Sequence, residues 1–177
     1  MNDGETYLFT LKAIDTSANV STGATIVATP SSSIRLVDSV GYVGQYCSLA
    51  VDGNNVYICY FDETNGNLKI WKSTDGGDTW PEADIATVAS AGTVGEYSAL
   101  TVDDGAIFMC YNYFNTHDLL FLKSIDGGET WSDSKIVDPI NWQSYETAIA
   151  VAGDTVYISY YEPAAKDLMF TRSTDGG

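Results

Sequence analysis

The sequence predicts an all-β protein built mainly from about three similar antiparallel units of four strands each. A turn of the pattern Ser-x-Asp-Gly-Gly occurs three times, beginning at Ser73, Ser124 and Ser173, which lie 51 and 49 residues apart. A fixed turn at a near-constant period is typical of a repeat array. Between these turns, short stretches rich in β-branched and aromatic residues alternate with Gly, Asp and Asn turns, which is the pattern of short strands.

The chemistry of the repeated turn predicts a structural role for it. Its carboxylate can accept hydrogen bonds from backbone N–H groups downstream, and its glycines take positive φ without steric cost. The Ser and Thr hydroxyls can bond within the same loop. The Trp that follows the first two copies is predicted to re-enter a strand and to pack between units. The residues given structural roles are Ser73, Asp75, Gly77, Trp80, Ser124, Asp126, Gly128, Trp131, Ser173 and Asp175.

The pattern Ser-x-Asp-x-Gly-x-Thr-Trp resembles the Asp-box of the sialidase-type (BNR) β-propellers. Residues 73–80 and 124–131 are full copies, and residues 173–177 are a copy without its last three positions. The resemblance implies the blades of a β-propeller, with the Asp-box between the third and fourth strands of each blade. It also implies that the box lies on the rim away from the ligand face. The resemblance therefore indicates a fold strongly and an activity weakly.

Each repeat is predicted to contain the four strands of a propeller blade. From inner to outer, the predicted strands of the first repeat are residues 45–51, 56–60, 68–72 and 84–88, and those of the second are 96–102, 107–111, 119–123 and 134–137. The third repeat has predicted strands at 144–151, 156–160 and 168–172 and is without its outer strand. A further outer strand is predicted at residues 33–37, with no turn of this type before it. About three blades are fewer than the 4–8 of single-chain propellers, so we expect the ring to be completed by further sequence or by further copies of the chain.

Residues 1–30 do not follow the repeat and are predicted to be a partial domain that precedes propeller blades in residues 31–177. Residues 7–15 and 25–29 have the alternation of two strands, which predicts a hairpin. The stretch 3–21 resembles the last two strands of a fibronectin type III domain, with Tyr7 where such a sandwich has its tyrosine corner. Because a lone hairpin is marginally stable in water, we expect other strands, the blades or another subunit to complete it.

The charge of the chain excludes two classes of partner. It has 8 Lys and Arg against 24 Asp and Glu, a net charge of −16 and an isoelectric point near 4.1. Such a surface repels phosphate groups, so we expect neither nucleic acid nor an anionic membrane as a partner. No stretch is apolar enough to span a membrane.

The start of the chain has no signal-peptide pattern, and we expect both ends to be cut from a longer extracellular or cell-surface protein. No phosphate-binding glycine loop or dinucleotide fingerprint occurs, so no cofactor is expected, although a structural divalent cation such as calcium stays open.

The three cysteines fall at aligned positions of the repeat. Cys59 and Cys110 align with a serine of the third repeat, and Cys47 aligns with Ser98 and Thr147. Positions that accept Cys, Ser or Thr need a small buried side chain, so packing is the expected role. A disulfide between Cys47 and Cys59, which lie on paired strands, is an alternative that we do not favour. No cysteine spacing indicates a zinc site.

Candidate ligand-binding residues lie in the loops that enter the inner strands. Aromatic rings beside amides and carboxylates suit a sugar-binding surface, where rings stack on sugar faces and polar groups take the hydroxyls. Three tyrosines recur at the repeat period, Tyr46, Tyr97 and Tyr145, and are interpreted as packing residues. The candidates for ligand binding are Tyr42, Gln45, Glu96, Trp142, Gln143 and Glu146.

A complete sialidase site is not expected. The resemblance implies three arginines for the substrate carboxylate, a Tyr nucleophile backed by Glu and an Asp acid/base. This chain has only Arg35 and Arg172, both in predicted strands, and lacks an Arg-Ile-Pro sequence. The single histidine, His117, is interpreted as a solvated loop residue.

Three functions are therefore expected in order of preference. The first is an extracellular, non-catalytic binding or structural module, directed to glycans. The second is a fragment of a glycoside hydrolase whose site is completed elsewhere, with carboxylates drawn from Asp62, Glu63, Glu96 and Glu146. The third is a self-assembling filament or surface-layer subunit that associates through the hairpin and the open blades.

Overall fold

The structure, a computed structural model, describes residues 7–11, 24–28, 34–90, 92–139 and 145–177. The chain divides into two units, Met1–Leu36 and Val37–Gly177. In the first unit, β1 (Tyr7–Leu11) and β2 (Ala24–Ala28) pair antiparallel, which confirms the predicted strand pair. The residues that join these strands and the linker at 30–33 lie outside the described residues. The fibronectin type III likeness and the role of Tyr7 stay predictions.

The second unit consists of three antiparallel sheets, which we call blades 1 to 3. Blade 1 contains β3 (Val43–Asp52), β4 (Asn55–Asp62), β5 (Asn67–Ser73) and β6 (Ile85–Ala89). Blade 2 contains β7 (Val94–Asp103), β8 (Ala106–Tyr113), β9 (Asp118–Ser124) and β10 (Lys135–Asp138). Blade 3 contains β11 (Tyr145–Ala152), β12 (Thr155–Glu162) and β13 (Asp167–Ser173). Strands that follow each other in sequence are neighbours in each sheet, so the predicted fold class is confirmed.

Strand register gives every blade two distinct ends. In blade 1, Val43 at the start of β3 lies opposite Asp62 at the end of β4. At the other end Val51 lies opposite Val56, which in turn lies opposite Ser73, the first residue of the repeated turn. We call the first of these the entry end and the second the turn end. The candidate ligand-binding loops and the repeated turns are therefore at opposite ends of the blades.

Two apolar cores hold the three blades together. The first core joins residues of blade 1 to residues of blade 2, among them Tyr57, Cys59, Leu68, Ile70, Leu100, Ile107, Met109, Tyr111 and Leu122. The second core joins blade 2 to blade 3 through Ala99, Phe108, Cys110, Leu119, Phe121, Val156, Ile158 and Tyr160. Because successive side chains of a strand point to opposite faces, each blade has a forward face toward the next blade and a backward face toward the preceding one.

The prediction of a strand at residues 33–37 is wrong for residues 34–37, the part of this stretch that the structure describes. Residues 34–37 form no strand, and Ile34 and Leu36 are exposed. The physical reason is that a strand needs a partner, and in blades 1 and 2 the equivalent segments are outer strands that pair with β5 and β9. Among the described residues before position 34, only β1 and β2 form strands, and they pair with each other.

The two tryptophans after the repeated turns do not re-enter a strand directly. Trp80 lies edge-on to Trp71, with ring centroids 6.4 Å apart, and a short 3-10 turn at Glu82–Asp84 separates it from β6. Trp131 packs against the first core, and β10 begins only at Lys135. Of the two, only Trp131 packs in a core between two described blades, the core that blade 2 shares with the preceding blade 1.

The cysteines occupy the predicted register positions. Cys59 and Cys110 are fully buried on the forward faces of blades 1 and 2, and Ser159 takes the same register in blade 3. All three cysteines are free, and Cys47 is exposed. Small side chains are needed at the first two positions because the next blade packs directly on them. In the described residues no helix is long and apolar enough to cross a membrane.

Candidate functional site

The inner strands share an unusual backbone feature at the entry end. Each of them contains a β-bulge near its start, and at the bulge Tyr46, Tyr97 and Glu146 have φ values of 52°, 50° and 56°. A left-handed conformation is strained for bulky residues, and a bulge turns a side chain out of the regular alternation. The same distortion in three blades therefore fixes the direction of the side chains beside it.

A hydrogen bond between blades stabilises this distortion. The Ser98 hydroxyl on β7 donates to the Tyr46 carbonyl at 3.0 Å, and the Thr147 hydroxyl on β11 donates to the Tyr97 carbonyl. Ser98 and Thr147 follow the distorted positions of their own strands, so the contact repeats from one blade to the next. The strained backbone is thus explained in part by assembly of the blades.

Three tyrosine rings form a row across the inner strands. The Tyr46 and Tyr97 ring centroids are 4.3 Å apart, and Tyr97 meets Tyr145 edge-on at 4.9 Å. Burial, followed by a hydrogen bond with Tyr46, raises the pKa of the Tyr97 hydroxyl. The rings contact one another from three different blades, as the packing interpretation expects, and form an aromatic surface at the entry end.

The alignment of Tyr145 with the other two tyrosines is corrected by one position. Strand pairing places Ser48, Ala99 and Ala148 at one register, so Glu146 occupies the position of Tyr46 and Tyr97. Tyr145 takes the position of Gln45 and Glu96 in the other two blades. Its ring nevertheless reaches Tyr97, because the bulge rotates the two residues relative to each other.

Blade 1 carries a polar cluster beside this row. The Gln45 side chain donates to the Glu63 carboxylate at 2.6 Å. Tyr42 is 77% exposed, its N–H donates to the Thr64 hydroxyl at 2.7 Å, and its carbonyl accepts from the Glu63 N–H at 2.9 Å. Tyr42 is therefore held by its backbone, and its ring projects into solvent.

Blades 2 and 3 supply the other described candidates. Glu96 is half-buried beside Tyr97, and Glu146 is exposed. An open depression in blade 3 is lined by Tyr145, Glu146 and Tyr161. The remaining candidates, Trp142 and Gln143, lie outside the described residues and stay predictions.

His117 is less solvated than predicted. It is half-buried, its ring centroid lies 5.8 Å from that of Phe114, and its buried Nδ1 has no hydrogen-bond partner among the described residues. A backbone φ of 63° folds the turn so that the two rings meet. Nothing in this geometry pairs the imidazole with a nucleophile.

Two partly buried tyrosine–aspartate pairs were not found from the sequence. The Tyr60 hydroxyl donates to Asp38 at 2.7 Å, and the Tyr160 hydroxyl donates to Asp138. Burial of the Asp38 carboxyl raises its pKa, but hydrogen bonds from the Val40 N–H and the Tyr60 hydroxyl outweigh this effect and hold the pKa below its usual value. In both pairs the aspartate lies 22 residues before the tyrosine, and this shared spacing is the one sign of the pairs in the sequence.

The repeated turns at the other end are closed by their own hydrogen bonds. In the second copy the Ser124 hydroxyl donates to Asp126 at 2.7 Å, and Asp126 also accepts from the Thr130 hydroxyl and N–H. These bonds, those from Thr130 above all, lower the pKa of Asp126 to about 2. The first copy has the same network around Asp75. The carboxylates are thus occupied within the turns.

The chain's cationic and metal-binding groups do not gather at the tyrosine row. Arg172 lies opposite Tyr157, next to Ser173 at the turn end of blade 3. Arg35 is exposed and lies in no strand, against the prediction. Among the described residues, no group of three or more His, Cys, Asp and Glu side chains is placed to hold a metal ion.

Comparison with known proteins agrees with this architecture. No family model matches the chain. It is 28% identical over 123 residues to an anhydrosialidase from Macrobdella decora, which covers 68% of this chain and 15% of that protein. Among solved structures, the endosialidase of phage phi92 matches with a TM-score of 0.53 and 20% identity, over 65% of this chain and 18% of that one.

A second solved structure is the α-L-arabinofuranosidase PaAbf62A from Podospora anserina. It matches with a TM-score of 0.50 and 9% identity, over 73% of this chain and 45% of that one. The chain spans about a sixth of the length of the curated relative. The antiparallel sheets of three and four strands, packed face to face, define the class as blades of a β-propeller. These blades are similar to those of an anhydrosialidase and an endosialidase.

Proposed function

We propose that this chain is part of a non-catalytic glycan-binding module whose ligand surface is the tyrosine row at the entry end. The row of Tyr46, Tyr97 and Tyr145 carries the proposal, because aromatic rings flanked by carboxylates and amides recognise sugars by stacking and by hydrogen bonds to hydroxyls. The flanking polar groups are Gln45, Glu63, Glu96 and Glu146. The similar proteins are an anhydrosialidase, an endosialidase and an α-L-arabinofuranosidase, and their activity on glycans supports the same class of ligand.

The geometry favours neutral or cationic sugars over acidic ones. The net charge is −16, and the described residues at the entry end place carboxylates rather than arginines beside the rings. An anionic sugar would be repelled there, since carboxylates outnumber ammonium groups among the described residues of this end, and the Lys69 ammonium is already paired with Asp62 at 2.7 Å. A secreted or cell-surface location, where such glycans are met, is part of the proposal.

Binding to a glycan array, followed by calorimetry on the best oligosaccharide, tests the proposal. We expect Tyr42→Ala and Tyr145→Ala to weaken binding at least about tenfold, a change of about 1.4 kcal/mol. Trp142→Ala tests the sequence-based candidate in the same assay. Ile125→Ala is the matched control, since Ile125 is 80% exposed and belongs to a turn at the opposite end. Absence of any glycan ligand, or equal binding by all variants, would refute the proposal.

A second candidate function is a fragment of a glycoside hydrolase, and the sequence likeness to an anhydrosialidase favours it. Its carboxylates would be Glu96 and Glu146, on neighbouring inner strands. Hydrolases of this kind use carboxyl groups roughly 5–9.5 Å apart. Release of a fluorogenic aglycone from sialosides, arabinosides or xylosides, lost in Glu146→Gln, would favour this function. Binding without turnover would favour the non-catalytic module.

A further inference from the structure

The outer strand of blade 1 lacks a carboxylate that its counterpart in blade 2 has. Asp138 on β10 lies opposite Leu119, and Ala89 on β6 lies opposite Leu68. Leu68 and Leu119 hold the same register on their own third strands, so Ala89 occupies the position of Asp138. The sequence agrees, because Ala89 precedes Tyr111 by the same 22 residues that separate each aspartate from its tyrosine.

A groove lies where this carboxylate is absent, between the outer strands of blades 1 and 2. Its volume is about 420 Å³, within the range of about 300–1,000 Å³ that small-molecule sites have. Every residue that lines it belongs to these two blades or to the loops that lead into their strands. Both blades contain all four of their strands, so the groove lies inside the repeat.

A pair of hydroxyls in this groove has a proton to give. The Tyr111 side chain is 1% exposed, and its hydroxyl lies 2.7 Å from that of Ser134. Two hydroxyls carry two protons and the bond between them uses one, so one donor remains for a ligand. In the other two pairs the tyrosine donates to an aspartate. The donor in blade 2 is therefore without the acceptor that its counterparts have.

Three more polar groups along the groove are open to a ligand. The Ser90 hydroxyl and the Asp133 carboxylate form no hydrogen bond with the described residues, and both residues are exposed. The Tyr113 hydroxyl accepts from the Asn115 amide at 3.4 Å and keeps its own proton to donate. The groove thus offers several donors and one charged acceptor.

These groups suit a neutral sugar. A sugar hydroxyl both accepts and donates, so one hydroxyl can accept the remaining proton of the Tyr111–Ser134 pair while another donates to Asp133. The Val94 and Leu120 side chains line the same groove and can pack against the C–H groups of a sugar ring. None of the lining residues is a lysine or arginine, so an anion would meet Asp133 without a compensating cation.

We propose that the groove between the outer strands of blades 1 and 2 binds one residue of a neutral sugar. A hydroxyl of the ligand takes the place that the Asp138 carboxylate takes between blades 2 and 3. This site is separate from the tyrosine row, since none of the three tyrosines of the row lines the groove. The inference therefore stands apart from the proposed function.

Titration of the full 177-residue chain with galactose, glucose, mannose, xylose and arabinose, followed by backbone amide shifts, tests the proposal. We expect at least one of these sugars to give saturable shifts around Ala89, Tyr111 and Ser134. Ala89→Asp should abolish these shifts, because the new carboxylate would accept from Tyr111 and occupy the groove. Since Asp138 is accommodated at the same register, the variant should keep the fold, and thermal unfolding checks this.

Asp133→Ala provides a second variant at an exposed position. It removes the charged acceptor, and we expect binding about three- to tenfold weaker. Ile125→Asp is the matched control for Ala89→Asp, because it adds the same charge at a residue that is 80% exposed and does not line the groove. Ile125→Asp should bind as the parent chain does.

Tyr145→Ala separates this site from the tyrosine row and should leave the shifts in the groove unchanged. Full binding by Ala89→Asp or by Asp133→Ala, or the absence of any sugar that shifts these amides, would overturn the proposal. Shifts confined to the tyrosine row would also overturn it, while leaving the proposed function in place. Shifts in the groove with none at the row would uphold the groove site and count against the row.

Discussion

The Ser98 hydroxyl on blade 2 donates a 3.0 Å hydrogen bond to the Tyr46 carbonyl on blade 1. The left-handed backbone of Tyr46 coincides with this contact, and the pair formed by Thr147 and Tyr97 repeats it one blade later. A strained residue in each inner strand thus supplies the acceptor that joins it to the next strand. The blades are linked by backbone geometry as well as by their apolar faces.

Removing this hydroxyl should weaken the contact between blades. Ser98→Ala leaves the Tyr46 carbonyl without its donor, and we expect a loss of about 1 kcal/mol in the free energy of unfolding. Urea unfolding of Ser98→Ala and of the parent chain measures this difference in free energy. Ser90→Ala, at an exposed position before blade 2, is the control and should leave the midpoint unchanged. Equal stability of the two variants would mean that the contact is not stabilising.

Replacement of Gly95 should be far more costly than replacement of Gly44. Both have positive φ, so an alanine at either site is strained. A Cβ on Gly95 would lie 2.8 Å from the Leu68 Cβ, whereas Gly44 has open space. We expect losses of about 3 kcal/mol for Gly95→Ala and about 1 kcal/mol for Gly44→Ala.

Urea unfolding of both glycine variants beside the unmodified chain gives the comparison. Similar losses would show that blade 1 and blade 2 are not packed as closely as described.

The turn carboxylate of Asp126 should make stability depend on pH. Its pKa in the folded chain is lowered from 3.8 to about 2, chiefly by hydrogen bonds from Thr130. Because the folded chain binds the proton less tightly than the unfolded chain does, the stabilisation is present above pH 3.8 and is lost as the pH falls toward 2. Thermal unfolding of Asp126→Asn should therefore differ from that of the parent at pH 6 and converge with it at pH 2.

The control for that series is Asp133→Asn, at an exposed position near the same turn. Its unfolding temperature should follow that of the parent at every pH. If Asp126→Asn also followed the parent at pH 6, the hydrogen bonds of the turn would have no energetic role.

The three thiols should differ in reactivity. Burial raises the pKa of Cys59 to about 11 and that of Cys110 to about 12, and both side chains are inaccessible. Since only the thiolate reacts, a disulfide reagent should modify Cys47 alone in the folded chain and all three residues after denaturation. Mass spectrometry of the labelled peptides identifies the site. Rapid labelling of Cys59 in the folded chain would show that the first core is open.

The repeat made most of the fold predictable, because each unit contains the same turn and the same alternation of strands. The inner, second and third strands of all three blades lie within a few residues of their predicted ranges. The segment 34–37 was misassigned because its sequence favours a strand, although no strand of the described residues pairs with it. Tyr145 was misaligned because the third inner strand has Glu146 at the position of Tyr46 and Tyr97 and a tyrosine one residue earlier. Only the strand register, which a single sequence does not display, separates the two alignments.

The sequence predicted at which end of the blades the candidate residues lie, and their binding of a ligand stays a prediction. In the described parts of the loops that enter the inner strands, Gln45 and Tyr42 are near Glu63. The contact of Tyr46, Tyr97 and Tyr145 required the packing of three blades. The tyrosine–aspartate pairs were missed because each aspartate precedes the inner strand of the blade that carries its tyrosine, so that only the equal spacing of 22 residues marks the pairs in the sequence.

The most direct test of the central claim is the map of backbone amide shifts when the chain is titrated with the oligosaccharide that the glycan array selects. We predict that the shifted residues gather at the entry end, around Tyr42, Tyr46, Glu63, Tyr97 and Glu146. The turns at residues 73–80 and 124–131 should not shift. Shifts that gather at those turns, or a spectrum that no glycan changes, would contradict a ligand surface at the tyrosine row.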